Sequence, residues 1–295
     1  MIRRIQGRVV ENRNLHDSMW FLRLHAPGLE QAQAGQFIQL TCGPGLTVPR
    51  PFSIWDSQPT EQCIDLLYRV VGKGSRRMTE WQPGFTTPLL GPLGCPFMSP
   101  PAGTQALLVA GGVGLAPLDF FARQLAAQGI ATTLLWGIES ESPLPVAADP
   151  ERETLSAGLA LNHLQRLGVY SRLASLTPRP GFFQGFVTEL AAEILQKMEP
   201  GQRRHCRLYT CGPEPMMAAL AQVAERFALQ GEASLEAHMA CGFGGCVGCV
   251  ARIREHGTDH YRRVCMDGPV FPLQDVDWPA ADRHVVDPAE SRCRM

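Results

Sequence analysis

Four cysteines near the C-terminus constrain this chain more than any other feature. Cys241, Cys246 and Cys249 stand in C-x4-C-x2-C spacing, and Cys265 follows after fifteen intervening residues. Glycines at 242, 244, 245 and 248 are interleaved with the first three. Glycine accepts positive φ and carries no Cβ, so a loop of this composition can curl closely around an inorganic core. Its backbone N–H groups can then point at sulfur and offset negative charge. The spacing is that of plant-type [2Fe–2S] proteins, and the four thiolates are expected to hold such a cluster. Two alternatives stand beside this reading. A structural zinc site usually draws four cysteines from two C-x2-4-C pairs, and no second pair exists here. Free buried cysteines would rarely fall at this spacing. His238 is expected to pack near the cluster without ligating it.

The remaining composition removes several function classes. Ten cysteines would suggest a disulfide framework in a small secreted domain, but this chain has 295 residues and its first residues lack the apolar segment of a signal peptide. No apolar run approaches the roughly 20 residues that span a bilayer. A formal charge of −1 gives no electrostatic case for nucleic acid or an anionic membrane. The expectation is a cytoplasmic protein with no nucleic-acid or membrane partner.

Along the chain, residues 1–99 read as all-β. Arg8-Val9-Val10, Trp20 to Leu24, Gln36 to Leu40 and Ile64 to Val71 are short runs rich in β-branched and aromatic residues, punctuated by Gly and Pro. They predict a small antiparallel barrel. Residues 100–232 alternate strand and helix, which predicts a doubly wound parallel sheet. Its strands include Gln105 to Ala110, Thr132 to Trp136 and Arg207 to Thr210, with helices through Phe120 and Leu125, from a Thr188 cap, and from Pro213 to Phe227. The Pro- and acid-rich stretch from Glu139 to Asp149 reads as a loop. Residues 233–295 form a small Gly- and Cys-rich module. Its hairpin arms are Val250 to Ile253 and Tyr261 to Val264, with a turn at residues 256–259.

Two turns suit a nicotinamide dinucleotide. Gly111-Gly112-Val113-Gly114-Leu115-Ala116-Pro117 follows a strand and opens a helix. Its glycines would admit a pyrophosphate to the helix N-terminus. Pro117 replaces the third Gly or Ala of the usual fingerprint, and proline suits a first helical turn. Cys211-Gly212-Pro213 ends another strand and would face the crevice where such sheets bind ligands. Glu139 would accept from a ribose hydroxyl and repel a 2′-phosphate, favouring NAD over NADP. In the barrel, Arg50-Pro51-Phe52-Ser53 offers a cation for a flavin diphosphate and a hydroxyl near the isoalloxazine edge. Tyr68-Arg69 and the Gly72-Lys73-Gly74-Ser75 turn, a phosphate nest, follow it. Taken singly, each is equally an ordinary turn or strand end.

Their order resembles the ferredoxin–NADP reductase superfamily. The cluster string and Cys265-Met266-Asp267-Gly268-Pro269-Val270-Phe271 resemble the electron-transfer subunits of type B dihydroorotate dehydrogenases, over nearly the whole chain. The resemblance implies an FAD-binding barrel, an NAD-binding α/β domain and a C-terminal [2Fe–2S] module. It implies FAD contacts from Arg50, Pro51, Phe52, Ser53, Leu67, Tyr68, Arg69, Gly74 and Ser75, and NAD contacts from Gly111, Gly112, Gly114, Pro117, Gly212 and Pro213. Cys211 would lie near the nicotinamide ring. It implies a partner, an FMN-containing catalytic subunit that oxidises dihydroorotate in pyrimidine synthesis, in a heterotetramer of two chains of each kind. The segment Leu176 to Phe186 departs from relatives: it lacks their acids and carries Arg179. A reductase subunit serving a different oxidoreductase is the rival enzyme reading, and a zinc-holding binding module the non-enzymatic one.

Overall fold

The six-stranded barrel closes because its strands alternate inward and outward along a twisted sheet. A computed structural model of the chain describes residues 2–139, 141–149 and 157–278. Strands β1 (Arg3–His16), β2 (Met19–His25), β3 (Phe37–Leu40), β4 (Arg50–Gln58), β5 (Cys63–Arg69) and β6 (Thr86–Leu93) pair in the order β1-β2-β5-β4-β3-β6. Every pairing is antiparallel. In β6, Thr87, Leu89, Gly91 and Leu93 are buried and alternate with half-buried neighbours. That strand was not legible, because Pro88 and Pro92 argue against a paired strand. The stretch around Gly72 to Ser75 is also more regular than a turn: a short helix, α1 (Lys73–Met78), begins there.

The second unit is a doubly wound sheet. Its elements run β7 (Gln105–Gly111), α2 (Leu115–Ala127), β8 (Thr132–Gly137), β9 (Val146–Ala148), β10 (Leu159–Leu161), α3 (Asn162–Arg166), β11 (Tyr170–Ser175), β12 (Phe183–Gln184), α4 (Val187–Lys197), α5 (Pro200–Arg204), β13 (Cys206–Cys211), α6 (Glu214–Arg226) and β14 (Gly231–Ser234). The hairpin β15 (Val250–Glu255) and β16 (Thr258–Arg263) follows, then β17 (Val270–Pro272). The large sheet has the order β12-β11-β8-β7-β13-β14-β17, parallel except for β17. The chain reverses its direction of growth between β7 and β13, which opens a crevice at their C-terminal ends. Two expectations need correction. The 139–149 stretch holds β9, which pairs with β10. Thr188 lies inside α4 and does not cap it; Glu189 instead accepts from the Phe186 N–H at 2.8 Å.

Three apolar clusters hold these layers. One fills the barrel and continues under α2 through Leu115, Phe121 and Leu125. A second packs α4 and α6 on the other face of the sheet. The third joins barrel residues Phe37 and Leu93 to Met239, Cys249, Ile253, Val264, Cys265 and Phe271. The cysteine module therefore rests on both other units. Strand β17 extends the nucleotide sheet through β14, and the Cys95 N–H donates to the Gly268 carbonyl at 2.6 Å. The sequence division at 232/233 falls within β14. Among the described residues no helix is long and apolar enough to cross a membrane.

A buried carboxylate fastens the barrel to the nucleotide sheet. Asp119 of α2 is 1% exposed; it accepts from Trp55 Nε1 of β4 at 2.7 Å and meets His163 Nε2 at 2.6 Å and Arg123 at 3.2 Å. Arg123 also pairs with Asp56 of the barrel. Burial alone would raise the Asp119 pKa, but His163, Arg123 and Trp55 more than offset it and hold the carboxyl below its ordinary 3.8. The stabilisation is thus complete above that ordinary value and is lost as pH falls through the lowered one. Asp119→Asn is expected to cost roughly 3 kcal/mol, since it unpairs buried partners. The cost should show as a lower thermal midpoint at pH 7 and shrink when wild type and variant are compared in acid.

Candidate functional site

The cysteine loop forms where glycines permit left-handed backbone. Gly242 and Gly244 have φ of 76° and 86°. The loop folds N–H groups back onto its first thiol: the Cys246 N–H donates to Cys241 Sγ at 3.4 Å. Partial burial would raise the Cys241 thiol, yet N–H groups of Phe243, Cys246 and Gly245 bring it down to about 7, against 9.0 for an ordinary thiol. Cys265 is the opposite case. Burial first, and its contact with Cys249 second, push it up to about 12. Cys249 and Cys265 are 3% and 0% exposed, while Cys246 is exposed. Cys241 thus neighbours Cys246, and Cys265 neighbours Cys249 and also feels Cys241. Among the described residues no three Cys, His, Asp or Glu side chains converge on a single ion. His238 is exposed, not packed as expected. Cys293 lies outside the described residues.

These thiols should differ in reactivity. In metal-free protein at pH 7, the lowered value should give Cys241 a larger thiolate share than a thiol with the ordinary value. Iodoacetamide is expected to label Cys241 well before Cys265, read by peptide mass spectrometry over a time course.

On the barrel, the structure brings Arg50 beside α1. A Cβ at Gly74 would lie 3.6 Å from Arg50 Cγ. Arg50 is exposed, and its guanidinium donates to the Val48 carbonyl at 3.1 Å. The first-turn N–H groups of α1 have no intrahelical partner, and the Arg50 side chain runs beside this helix start. Ser75 is turned inward, and its Oγ accepts from the N–H groups of Val71 and Gly72 at 3.0 and 3.2 Å. The hydroxyl shapes the nest. Phe52 and Ser53 are half-buried beside it. Tyr68, 1% exposed, belongs to the barrel wall: its ring meets Phe52 edge-on at 6.1 Å and its hydroxyl donates to Asn12 Oδ1 at 3.1 Å. Pro51 pairs with Gln39 across the β3–β4 ladder, and Leu67 is buried in β5.

The two nucleotide turns meet because β7 and β13 are adjacent, with Ala110 opposite Cys211. A cleft of about 570 Å³ opens there, lined by Gly111, Gly112, Glu139, Pro213 and Met216. Its far wall comes from the barrel, through Asp17, Ser18, Met19 and Arg69. Arg69 therefore faces this cleft. The glycines divide the work. Gly112 has φ of 53° and open space where a Cβ would be. A Cβ at Gly114 would run into the Cys211 carbonyl, so that glycine serves the crossing of two backbones. Gly212 packs in the same way against Gly111 and Met216. Pro117 is buried in the first turn of α2. Cys211 is 2% exposed and lies outside the cleft lining; burial first, and Glu236 second, push its thiol far up, so it is neutral. Trp136 was not singled out in the sequence. It donates from Nε1 to the Gly112 carbonyl at 2.9 Å and pins the turn, and a buried indole N–H at a strand end was the available signal. A larger depression, about 1180 Å³, lies at the opposite end of the sheet around Gln105 and His205, away from every one of these motifs.

A sequence profile of the iron–sulfur cluster binding domain of dihydroorotate dehydrogenase B matches residues 236–277, and one of an oxidoreductase NAD-binding domain matches residues 108–222. The dihydroorotate dehydrogenase B (NAD(+)) electron transfer subunit of Desulforamulus reducens is 31% identical over 262 residues, 88% of this chain and 92% of that protein. The chain belongs to this family. The corresponding subunit of a Geobacillus species is 31% identical over 281 residues, covering 94% of this chain and 99% of its own. This member of the electron transfer subunit family is an oxidoreductase subunit with an NAD-binding domain. Its fold matches a chain of an NADH-dependent reduced ferredoxin–NADP oxidoreductase with a TM-score of 0.77 at 23% identity, over 92% of this chain and 90% of that one. It also matches the ferredoxin reductase of a carbazole 1,9a-dioxygenase, with a TM-score of 0.61 at 20% identity over 77% and 67%. The expected barrel, parallel nucleotide sheet and C-terminal cysteine-rich region are thereby borne out, as is the reductase-superfamily fold.

Proposed function

We propose that this chain serves an FMN-containing dihydroorotate-oxidising subunit, with two chains of each kind in the complex, and delivers its electrons to NAD⁺. When bound, a [2Fe–2S] cluster, FAD and NAD would supply one-electron transfer, conversion between one and two electrons, and hydride acceptance, in that order from the partner. The observation that carries the reading is the gathering of four thiols, Cys241 beside Cys246 and Cys265 beside Cys249, in a module that rests on Phe37 and Leu93 of the barrel. Two irons each need two protein thiolates, whereas a single zinc needs four around one point.

The chain's own residues have assignable work. Cys241 and Cys246 would ligate one iron, Cys249 and Cys265 the other. Arg50 and the start of α1 at Gly74 and Ser75 would hold the FAD diphosphate. Phe52 and Ser53 would present an aromatic face and a hydroxyl to the ring system, supported by Pro51, Leu67 and Tyr68. Gly111, Gly112 and Pro213 would take the dinucleotide, with Glu139 selecting an unphosphorylated ribose. Gly114, Gly212 and Pro117 shape that turn from beneath. Arg69 stands opposite, where it would meet the dinucleotide's charge. Cys211 supplies a neutral, water-excluding thiol below the nicotinamide. No side chain need act as acid or base, and the pyrimidine chemistry belongs to the partner.

The test is co-purification. The native complex should contain an FMN subunit, FAD, and iron and acid-labile sulfide in equal amounts. NAD⁺ reduction by dihydroorotate should require both chains. A colourless chain with one zinc, or orotate synthesis that continues without this chain, refutes the proposal.

A further inference from the structure

Gln39 is the described residue whose burial is hardest to explain. It sits on β3 and is 2% exposed, and neither Nε2 nor Oε1 has a hydrogen-bond partner. No other described side chain has two orphaned polar atoms. Leaving a buried amide unpaired costs roughly 1–3 kcal/mol per group, and an apolar residue would avoid that cost. Its placement suggests what satisfies it. A Cβ added to Gly242 would lie 2.7 Å from Gln39 Nε2 and 2.9 Å from Cδ. The side chain thus lies flat against the residue that follows Cys241. Across the ladder, Gln39 faces Pro51 and Phe37 faces Ser53. Directly opposed residues share a face of the sheet, so the amide lies on the same face as Pro51 and Ser53. Phe37, two residues away on that face, belongs to the apolar cluster that contains Cys249 and Cys265.

We infer that Gln39 donates a hydrogen bond from Nε2 to the sulfur of the iron–sulfur cluster held at Cys241. The inference rests on the cluster named in the proposed function, and not on the partner. Donors to cluster sulfur favour the reduced, more negative state and so raise the reduction potential. The loop backbone already donates to Cys241, and Gln39 adds a donor from the barrel. It thereby couples the flavin-binding unit to the cluster. The position is glycine at 242 because the amide occupies the space of a side chain.

The test uses the flavin- and iron-loaded chain with Gln39→Met, an apolar side chain of similar length, and Gln39→Glu, which loses the donor. Bound FAD serves as the folding control. Both variants are expected to keep FAD, release iron to a chelator roughly tenfold faster, lower the cluster's midpoint potential and shift its visible circular dichroism. A second measurement needs no variant. In wild-type protein carrying ¹⁵N-glutamine, pulsed electron paramagnetic resonance of the reduced cluster should show coupling to the amide nitrogen. Unchanged iron release and potential, or absence of that coupling, overturns the inference. So does a spectral shift confined to the flavin, which would assign the amide to FAD. Wild-type protein without iron would instead sink the underlying functional reading.

Discussion

Cys249→Ser is expected to abolish the iron and sulfide content while leaving FAD bound and still bleached by NADH. Cys249 is 3% exposed and touches Cys265 within an apolar patch formed by Phe37, Ile253 and Val264. A serine hydroxyl fits that space, so the fold should survive. It is, however, a hard oxygen donor whose proton is not lost near neutral pH, in place of the soft thiolate that iron–sulfur chemistry selects. Losing even an outer-shell partner of a metal costs about 10–100-fold in affinity, and losing a ligand should cost at least that much. The residues proposed to hold FAD lie elsewhere, at Arg50 and Gly74 of the barrel, and the cleft proposed for NAD lies at Gly112 and Pro213. The two activities should therefore separate. Iron and sulfide assays with anaerobic NADH titration at the flavin band check this. Full retention of iron would remove Cys249 from the ligand set. Loss of flavin bleaching with FAD bound would show that the cluster site and the hydride site are not independent.

The second large effect is expected at Gly114. A Cβ there would lie 2.5 Å from the Cys211 carbonyl carbon and 2.8 Å from the Gly212 nitrogen. Both are backbone atoms of the neighbouring strand end and cannot rotate away. Gly114→Ala must therefore push β7 and β13 apart at the point where they build the crevice. Overpacking of this kind costs about 3 kcal/mol, or roughly 5 °C in thermal midpoint for a chain of this size. NADH binding should fall with it, since Gly111, Gly112 and Pro213 line the cleft and flank the same crossing. Gly112→Ala is the control. It meets nothing within 4 Å and suffers only its φ of 53°, a cost of about 1 kcal/mol. A larger loss of stability at 112 than at 114, by calorimetry, would contradict this division of roles.

How much of this was readable beforehand varies by element. The cysteine spacing, the strand–helix alternation after residue 100 and both Gly-rich strand-to-helix turns could be seen directly, because each depends on residues adjacent in sequence. Strand β6 could not, since Pro88 and Pro92 speak against it and only closure onto β1 and β3 justifies it. Gln39 reads as an ordinary polar residue in an apolar strand until Gly242, two hundred residues later, lies against it. Asp119 reads as a solvated helix residue until Trp55, Arg123 and His163 surround it.

The local spacing of cysteines and glycines by itself determined what chemistry this chain can hold. Thiolate number, loop curvature and the residues around each turn are set by neighbouring positions. Tertiary structure alone decided how those parts face one another. It gathered the four thiols, set Arg69 across the cleft at Gly111 and Gly112, turned Tyr68 and Ser75 into supports, and buried Cys211 beneath the turn. Such assignments depend on which strands become neighbours. That is settled by burying three apolar clusters at once, and no stretch of sequence contains that condition alone.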